Sequence, residues 1–182
     1  MTQKKRGGIL QIKIIIIGVI IGCSYLIGNY IYNSYTQRHK QVKELIRVLE
    51  NIRMDLCFSM YTLEEIFEKI GHRKEYSVSN FFYCISKEMK TSSETGLENI
   101  ILNNKNELVE NTYLRQKEIE ELIELILNLG KSDLDSQSRL IDLAVENLKQ
   151  ITKDTKEDVE LKGMVYKKIA TIGGIIVGIV LI

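Results

Sequence analysis

The 182-residue chain contains no proline, only two histidines and three cysteines. Proline breaks helices because it lacks an amide hydrogen and clashes with the preceding turn, so its absence permits long helices. The cysteines are odd in number and Cys23 lies inside an apolar run, which favours reduced thiols in a cytosolic setting over a disulfide framework. No Cys or His stands at metal-ligand spacing, so we expect no metal site and interpret His39 and His72 as solvated.

Sequence motifs for catalysis are also missing. The chain has no G-x-G-x-x-G and no G-x-x-x-x-G-K-[ST] segment, so any use of nucleotide energy would fall to a partner protein. Carboxylates are dense over residues 118–124, where Arg115 and Lys117 accompany them on what we interpret as a charged, exposed helix surface. We therefore predict that the protein is not an enzyme and needs no cofactor.

Apolar runs close both ends of the chain. Residues 14–32 are nineteen uncharged residues, about 28 Å of helix, which predicts a transmembrane helix behind a basic tail of residues 1–13. No small-x-small cleavage site follows, which argues against a secretory signal. Residues 20–24 resemble a bacterial lipoprotein box around Cys23, but residues 25–32 prolong the run as a permanent membrane helix requires.

The second apolar run, residues 169–182, is fourteen residues long and would cover about 21 Å as a helix. Lys167 and Lys168 can extend toward the headgroups, which lets residues 164–166 enter the membrane boundary. We expect no polar tail beyond Ile182 that would have to cross the membrane. We predict a short C-terminal transmembrane segment.

Each apolar run contains a G-x-x-x-G motif, formed by Gly18 and Gly22 in the first and by Gly174 and Gly178 in the second. Small residues on one face let membrane helices approach closely. We expect the two anchors to pack against each other or against a neighbouring subunit, which includes a second copy in a homo-oligomer. The alternative is that glycine is simply frequent in membrane helices.

The stretch between the anchors, residues 37–168, carries 24 acidic and 21 basic residues, a net charge of about −3. Nucleic-acid binding needs a concentrated basic face, so we expect no nucleic-acid partner. Ten of the lysines and arginines near the anchors lie on this middle stretch and four lie on the terminal tails. The positive-inside rule therefore predicts that residues 37–168 are cytoplasmic.

The middle stretch has the periodicity of amphipathic helices. Apolar residues first recur on one helical face at Val42, Leu45, Ile46, Leu49, Ile52 and Leu56. Similar patterns predict about six helices, at residues 38–58, 63–70, 78–91, 96–109, 112–129 and 133–163. Short connections favour antiparallel neighbours, so we predict an all-α fold, an antiparallel bundle flanked by two transmembrane helices, with one soluble domain.

Helix ends are marked in the sequence as well. Thr62 with Glu65 and Thr95 with Glu98 have the spacing of a capping box, in which each side chain satisfies an amide of the helix start. We expect Gly71 and Gly130 to end helices in a left-handed conformation. Ser132 or Asp133 is expected to open the final helix.

Three segments resemble the stage III sporulation protein AB family of endospore-forming bacteria. Residues 129–137 match its L-G-x-x-D-x-x-x-Q segment through Leu129, Gly130, Asp133 and Gln137. The tail from residue 164 onward is similar to the family's closing membrane segment. Length and motif order match over nearly the whole chain.

The third segment, residues 52–63, corresponds to the family's L-E-x-E-I-x-Y-x-x-T-P-L stretch. It keeps an acid at Asp55, an aromatic at Phe58 and the leucine at Leu63. Three positions depart from the family pattern: Arg53 replaces an acid, Thr62 replaces the proline, and Ile126 replaces a glycine.

The resemblance implies a part of the mother-cell membrane complex that links to the forespore. The soluble domain of this family is similar to the cytoplasmic helical domains of type II secretion inner-membrane platform proteins. This similarity implies docking to a cytoplasmic secretion-type ATPase and to neighbouring membrane subunits. We therefore favour a membrane scaffold or adaptor. The alternatives are a transmembrane sensor, which would need an output module that we do not expect beyond Ile182, and a lipoprotein-type helical domain.

Overall fold

The computed structural model of the chain describes residues 2–59, 61–91, 96–131 and 133–181, with side chains from Lys13 onward. Seven α-helices and one π-helical turn follow in order. They are α1 (Thr2–Cys57), α2 (Leu63–Gly71), α3 (Ser79–Thr91), α4 (Leu97–Asn111), α5 (Gln116–Asn128), α6 (Leu134–Glu157), the π turn (Asp158–Gly163) and α7 (Met164–Leu181). The described ranges contain no strand, so the predicted all-α fold is confirmed.

The described residues form two compact units. The bundle unit runs from Gln37 to Thr155. The paired-helix unit combines the described residues up to Thr36 with those from Lys156 onward, so it holds the first part of α1, the π turn and α7. Both predicted anchors fall in the paired-helix unit, which also takes in residues 156–168 of the predicted soluble domain.

The first amphipathic face lines the core of the bundle unit. Leu45, Leu49 and Ile52 of α1 are fully buried, as their spacing predicts. They belong to one apolar cluster that receives Phe67 from α2 and Phe81 and Phe82 from α3. The ring of Phe82 lies 5.2 Å from that of Phe67 and 5.4 Å from that of Phe81, which is the range of favourable aromatic pairs.

Gly71 ends α2 as predicted, but for a different reason. Among the described glycines only Gly130 has a positive φ, and the residue after Gly71, His72, is in the right-handed helical region. A Cβ at Gly71 would lie 2.7 Å from the backbone N and Cα of Tyr83, on α3. Glycine is required here because two helix backbones meet, so the expected left-handed conformation was wrong for this position.

The predicted helix starts are partly confirmed. Thr62 and Glu65 form the complete capping box of α2. Thr95 and Ser132 lie outside the described residues, and Gly96 occupies the cap position of α4. Asp133 caps α6, because its carboxylate accepts hydrogen bonds from the backbone and the hydroxyl of Ser136.

Helix α5 begins at Gln116, four residues later than its apolar pattern predicted. Two polar side chains keep the preceding residues extended. The Gln41 side-chain oxygen accepts the backbone N–H of Tyr113 at 2.6 Å, and the Glu118 carboxylate accepts that of Arg115 at 2.7 Å. Because these two amides already have hydrogen-bond acceptors, extending α5 toward its N-terminus would gain them no further hydrogen bond.

In the paired-helix unit, α7 packs antiparallel against the first part of α1. A Cβ at Gly174 would lie 2.6 Å from that of Ser24, and one at Gly178 would lie 3.1 Å from Ile17 Cγ2. Gly28 meets Ala170 in the same way, at 3.0 Å. Both helical stretches are long and apolar enough to cross a membrane, and little of either is buried in the protein.

Candidate functional site

Segments that resemble the sporulation family meet at the end of the bundle unit where α1 finishes. The turn between α1 and α2 lies beside the turn between α5 and α6, and we call this place the two-turn end. The side chain of Leu63, after the first turn, lies against Gly130 of the second turn, because a Cβ built at Gly130 would be 3.1 Å from Leu63 Cδ1. Two segments 67 positions apart in sequence are thus brought together.

The second of these turns is fixed by Gly130 and Gln137. Gly130 has φ +79°, a conformation that side chains rarely adopt, and its backbone N–H donates to Gln137 Oε1 at 3.1 Å. Gln137 is buried and so is Leu129, which precedes the glycine. The left-handed glycine predicted at residue 130 is confirmed.

Carboxylates at the two-turn end serve the backbone and neighbouring side chains. Asp55 accepts from Lys69 Nζ at 2.6 Å, and that ammonium lies 5.1 Å from the centre of the Tyr61 ring. Asp133 accepts from the hydroxyl and then the backbone of Ser136, and these hydrogen bonds lower its pKa below the ordinary value. Both acids therefore hold a turn in place.

Phe58 is the only large apolar side chain that is exposed among the seven residues that resemble the family, Asp55, Phe58, Leu63, Leu129, Gly130, Asp133 and Gln137. Its side chain is 82% exposed, whereas that of Asp55 is buried and Leu63 is partly buried on Gly130. Met54, one helical turn earlier, is 57% exposed, and Tyr61 is 44% exposed. We call Met54, Phe58 and Tyr61 the apolar patch. Large exposed apolar side chains on a fixed turn are a feature of protein interaction sites.

Met54 and Tyr61 were not predicted as site residues, although their positions in the periodicity carry a signal. Leu49, Ile52 and Leu56 form the buried face of α1, and Met54 falls on the opposite side of the helix. Packing in the core does not explain an apolar residue that lies off the buried face of a helix. That test would have selected Met54 from the sequence alone.

A buried ion pair also escaped prediction. Arg38 of α1 binds Glu118 of α5 through its Nη2 atom and through Nε at 3.1 Å, and the Glu118 side chain is fully buried. Glu118 was interpreted as part of an exposed charged face, and this was wrong because its carboxylate also accepts the Arg115 amide. Eighty residues separate the two partners, so local spacing gives no sign of the pair.

The two histidines differ from each other. His39 is half-buried, and its Nδ1 atom lies 2.9 Å from the hydroxyl of the buried Thr155, so its interpretation as solvated was wrong. His72 is exposed and contacts the Tyr83 ring edge-on. Across the described ranges, no three His, Cys, Asp or Glu side chains are grouped to hold a metal ion.

The glycines predicted to pack the anchors fall into two pairs. Gly174 and Gly178 are buried against α1. A Cβ at Gly18 or Gly22 would have nothing described within 4 Å, so this pair does not contact α7. Their packing against a neighbouring subunit stays a prediction.

A family model described as stage III sporulation protein AB matches residues 13–182. No curated protein and no solved structure matches the chain.

Proposed function

The chain belongs to the stage III sporulation protein AB family, and on that premise we propose that it is a non-enzymatic membrane scaffold of a sporulation complex. Family membership assigns it a role in sporulation. The proposed complex is the channel between mother cell and forespore, and the proposed location is the mother-cell membrane that faces the forespore. There the chain docks a cytoplasmic secretion-type ATPase and neighbouring membrane subunits.

Exposed apolar helices support the membrane anchoring. The side chains of Ile15, Leu26, Ile169 and Ile179 are each at least 58% exposed, although all are large and aliphatic. Leaving such side chains in water forfeits roughly 1.5–3 kcal/mol each, and lipid removes that cost. We propose that α7 and the first part of α1 span the membrane.

The apolar patch carries the docking proposal. The backbone N–H of Phe58 donates to the Met54 carbonyl at 3.0 Å, and the Lys69 ammonium of the Asp55–Lys69 ion pair lies against the Tyr61 ring. An aromatic side chain on a fixed turn loses little conformational entropy on binding, which is typical of the residues that dominate protein interfaces. We propose that the ATPase binds the two-turn end through Phe58.

The acids of the two-turn end support a role without catalysis. Asp55 is engaged with Lys69 and Asp133 with Ser136, so neither carboxylate is poised toward an open cleft. Catalytic acids and bases need a pocket in which polar groups converge on a substrate. The proposed chemistry of this surface is association alone.

Co-purification from cells with the full-length chain tests the docking. Phe58→Ser combined with Met54→Ser is expected to reduce recovery of the ATPase about tenfold or more. The control is Val109→Ser, which removes from α4 an apolar side chain that is 52% exposed, close to the 57% of Met54. Normal recovery with the double variant, or a loss with the control as large as that with Met54→Ser alone, would refute docking through the patch.

A further inference from the structure

A groove in the paired-helix unit lies where α7 emerges from the π turn. Its volume is about 450 Å³, and it is lined by Tyr32 of α1 and by Met164, Lys167, Lys168, Thr171 and Ile172 of α7. The Thr171 hydroxyl donates to the carbonyl of Lys167 at 2.9 Å, so it offers the groove little polarity. The walls are therefore apolar, and the two ammonium groups supply the charge.

Lys167 is held in place by α1. Its ammonium donates to Asn29 Oδ1 at 3.1 Å and lies 5.2 Å and 5.8 Å from the centres of the Tyr32 and Tyr25 rings. Tyr25, Asn29 and Tyr32 follow each other at helical spacing, so one face of α1 receives the cation. This arrangement fixes a positive charge beside the groove.

The backbone of Lys167 lies level with the apolar part of α1. A Cβ at Gly28 would be 3.2 Å from Lys167 Cα, and Gly28 is inside the uncharged run of residues 14–32. A lysine whose backbone lies at this level is costly unless its ammonium reaches the membrane interface or a counter-charge accompanies it. Neither Lys167 nor Lys168 forms an ion pair with any described residue.

We propose that this groove binds one anionic phospholipid, with its phosphate on Lys167 and Lys168 and an acyl chain along Tyr32, Thr171 and Ile172. The inference rests on the proposed membrane anchoring, because only a membrane presents acyl chain and phosphate together. A free phosphate would leave the apolar walls uncovered, and a zwitterionic lipid would leave the lysines without a net counter-charge. Basic pockets between membrane helices are typical sites for anionic headgroups.

The π turn supports the groove. Gly163, its last residue, is buried, and a Cβ there would lie 3.3 Å from Tyr32 Cδ2 and 3.5 Å from Tyr35 Cβ. The extra residue per turn of a π-helix shifts the face that α7 presents. Tyr35 and Tyr166 stack nearby at 6.5 Å, which fixes the relation of the two helices. Tyr32 is thus held as one wall.

Native mass spectrometry of the full-length chain in mild detergent tests the proposal, with equimolar phosphatidylglycerol and phosphatidylcholine added. We expect retention of phosphatidylglycerol over phosphatidylcholine. Lys167→Gln and Lys168→Gln should each reduce this preference roughly fivefold. Thr171→Phe should abolish retention by filling the groove, although both lysines remain. Lys13→Gln, with the same charge change outside the groove, should leave the preference intact.

Each result decides between the proposals. Equal retention of the two lipids, an unchanged preference in both Lys167→Gln and Lys168→Gln, or an equal loss with Lys13→Gln would overturn the lipid site. Helix content from circular dichroism must match among the variants before they are compared. Extraction of the wild-type chain from membranes by alkaline carbonate would instead refute the anchoring itself. A chain that resists extraction but does not distinguish the lipids refutes only the inference.

Discussion

Two glycines of the bundle unit end helices through different physical requirements. Gly130 is needed because its backbone is left-handed, at φ +79°. Gly71 is needed because the backbone of Tyr83 occupies the space of a Cβ. Both positions are filled by glycine in the sequence, so the sequence alone cannot tell which requirement applies. The distinction predicts different responses to substitution.

Gly130→Ala is expected to destabilise the bundle unit by about 1–2 kcal/mol, since a left-handed Ala is strained. Gly130→Asn should destabilise the bundle unit less, because asparagine tolerates the left-handed conformation. Urea unfolding of the full-length chain in detergent measures both. A loss with Asn equal to that with Ala would show that contact with Leu63, and not the backbone conformation, sets the requirement.

Acidification should weaken the capping hydrogen bonds at the start of α2. The Thr62 backbone N–H, then its hydroxyl, donates to Glu65 and lowers the pKa of that carboxyl below 4.5. A carboxyl whose pKa is lower in the folded state stabilises that state. The stabilisation is complete when the pH is above the pKa of the unfolded chain, and it is lost as the pH falls through the pKa of the folded state. The Thr62 amide resonance should therefore shift with a midpoint below pH 4.5. In Glu65→Gln this shift should disappear, and its persistence would contradict the assignment.

Helix pairing in the paired-helix unit depends on which of two adjacent glycines faces α1. Gly174 meets Ser24, whereas a Cβ at Gly173 would have nothing described within 4 Å. Gly174→Ala is expected to separate the helices at a cost of about 1–3 kcal/mol, because neither Ser24 Cβ nor the α1 backbone can move aside cheaply. Gly173→Ala is the matched control and should leave the pairing unchanged.

Spin labels can follow this separation. With Cys57 and Cys84 replaced by serine, labels at Cys23 and at Ile175→Cys occupy exposed positions on the two helices. Gly174→Ala should broaden the distribution of distances between them, and Gly173→Ala should not. Equal distributions in both variants would mean that the close approach at Gly174 contributes little to pairing.

The sequence predicted those elements whose signals are local. The buried face of α1 follows from its periodicity, and the caps at Thr62 and Asp133 follow from spacing of a few residues. The continuity of α1 through Thr36 was not predicted, although no proline or glycine interrupts residues 29–57. The apolar segment and the amphipathic segment that follows it were treated as separate helices. They form one helix because backbone hydrogen bonding continues where the surroundings of the side chains change.

The remaining features needed contacts between distant segments. The Arg38–Glu118 pair joins residues eighty positions apart, and the delayed start of α5 depends on Gln41 of α1. Ser24 and Gly28 pack against α7 at the same four-residue spacing but as S-x-x-x-G, whereas the G-x-x-x-G pair Gly18 and Gly22 does not contact α7. For the candidate site, resemblance located the two segments, but only tertiary structure separates exposed Phe58 from the residues that hold its turn.

The distribution of charge over the whole chain bears on how it lies in a membrane. Ten lysines and arginines flank the anchors on the side of residues 37–168 and four lie on the tails. Some of the ten form ion pairs within the chain, since Arg38 binds Glu118 and Lys162 binds Asp158. The topology rule counts residues during insertion, before such pairs form, so the excess still predicts a cytoplasmic bundle unit.

Thiol labelling in intact cells tests this orientation. In a background without native cysteines, Glu110→Cys places a thiol on an exposed position of α4, and Thr2→Cys places one in the N-terminal tail. A membrane-impermeant maleimide should label residue 2 and spare residue 110 until the membrane is permeabilised. Labelling of residue 110 in intact cells would put the bundle unit outside, where no cytoplasmic ATPase could reach Phe58. Docking would then fail with the orientation, whereas the lipid groove, which needs only a membrane, would survive.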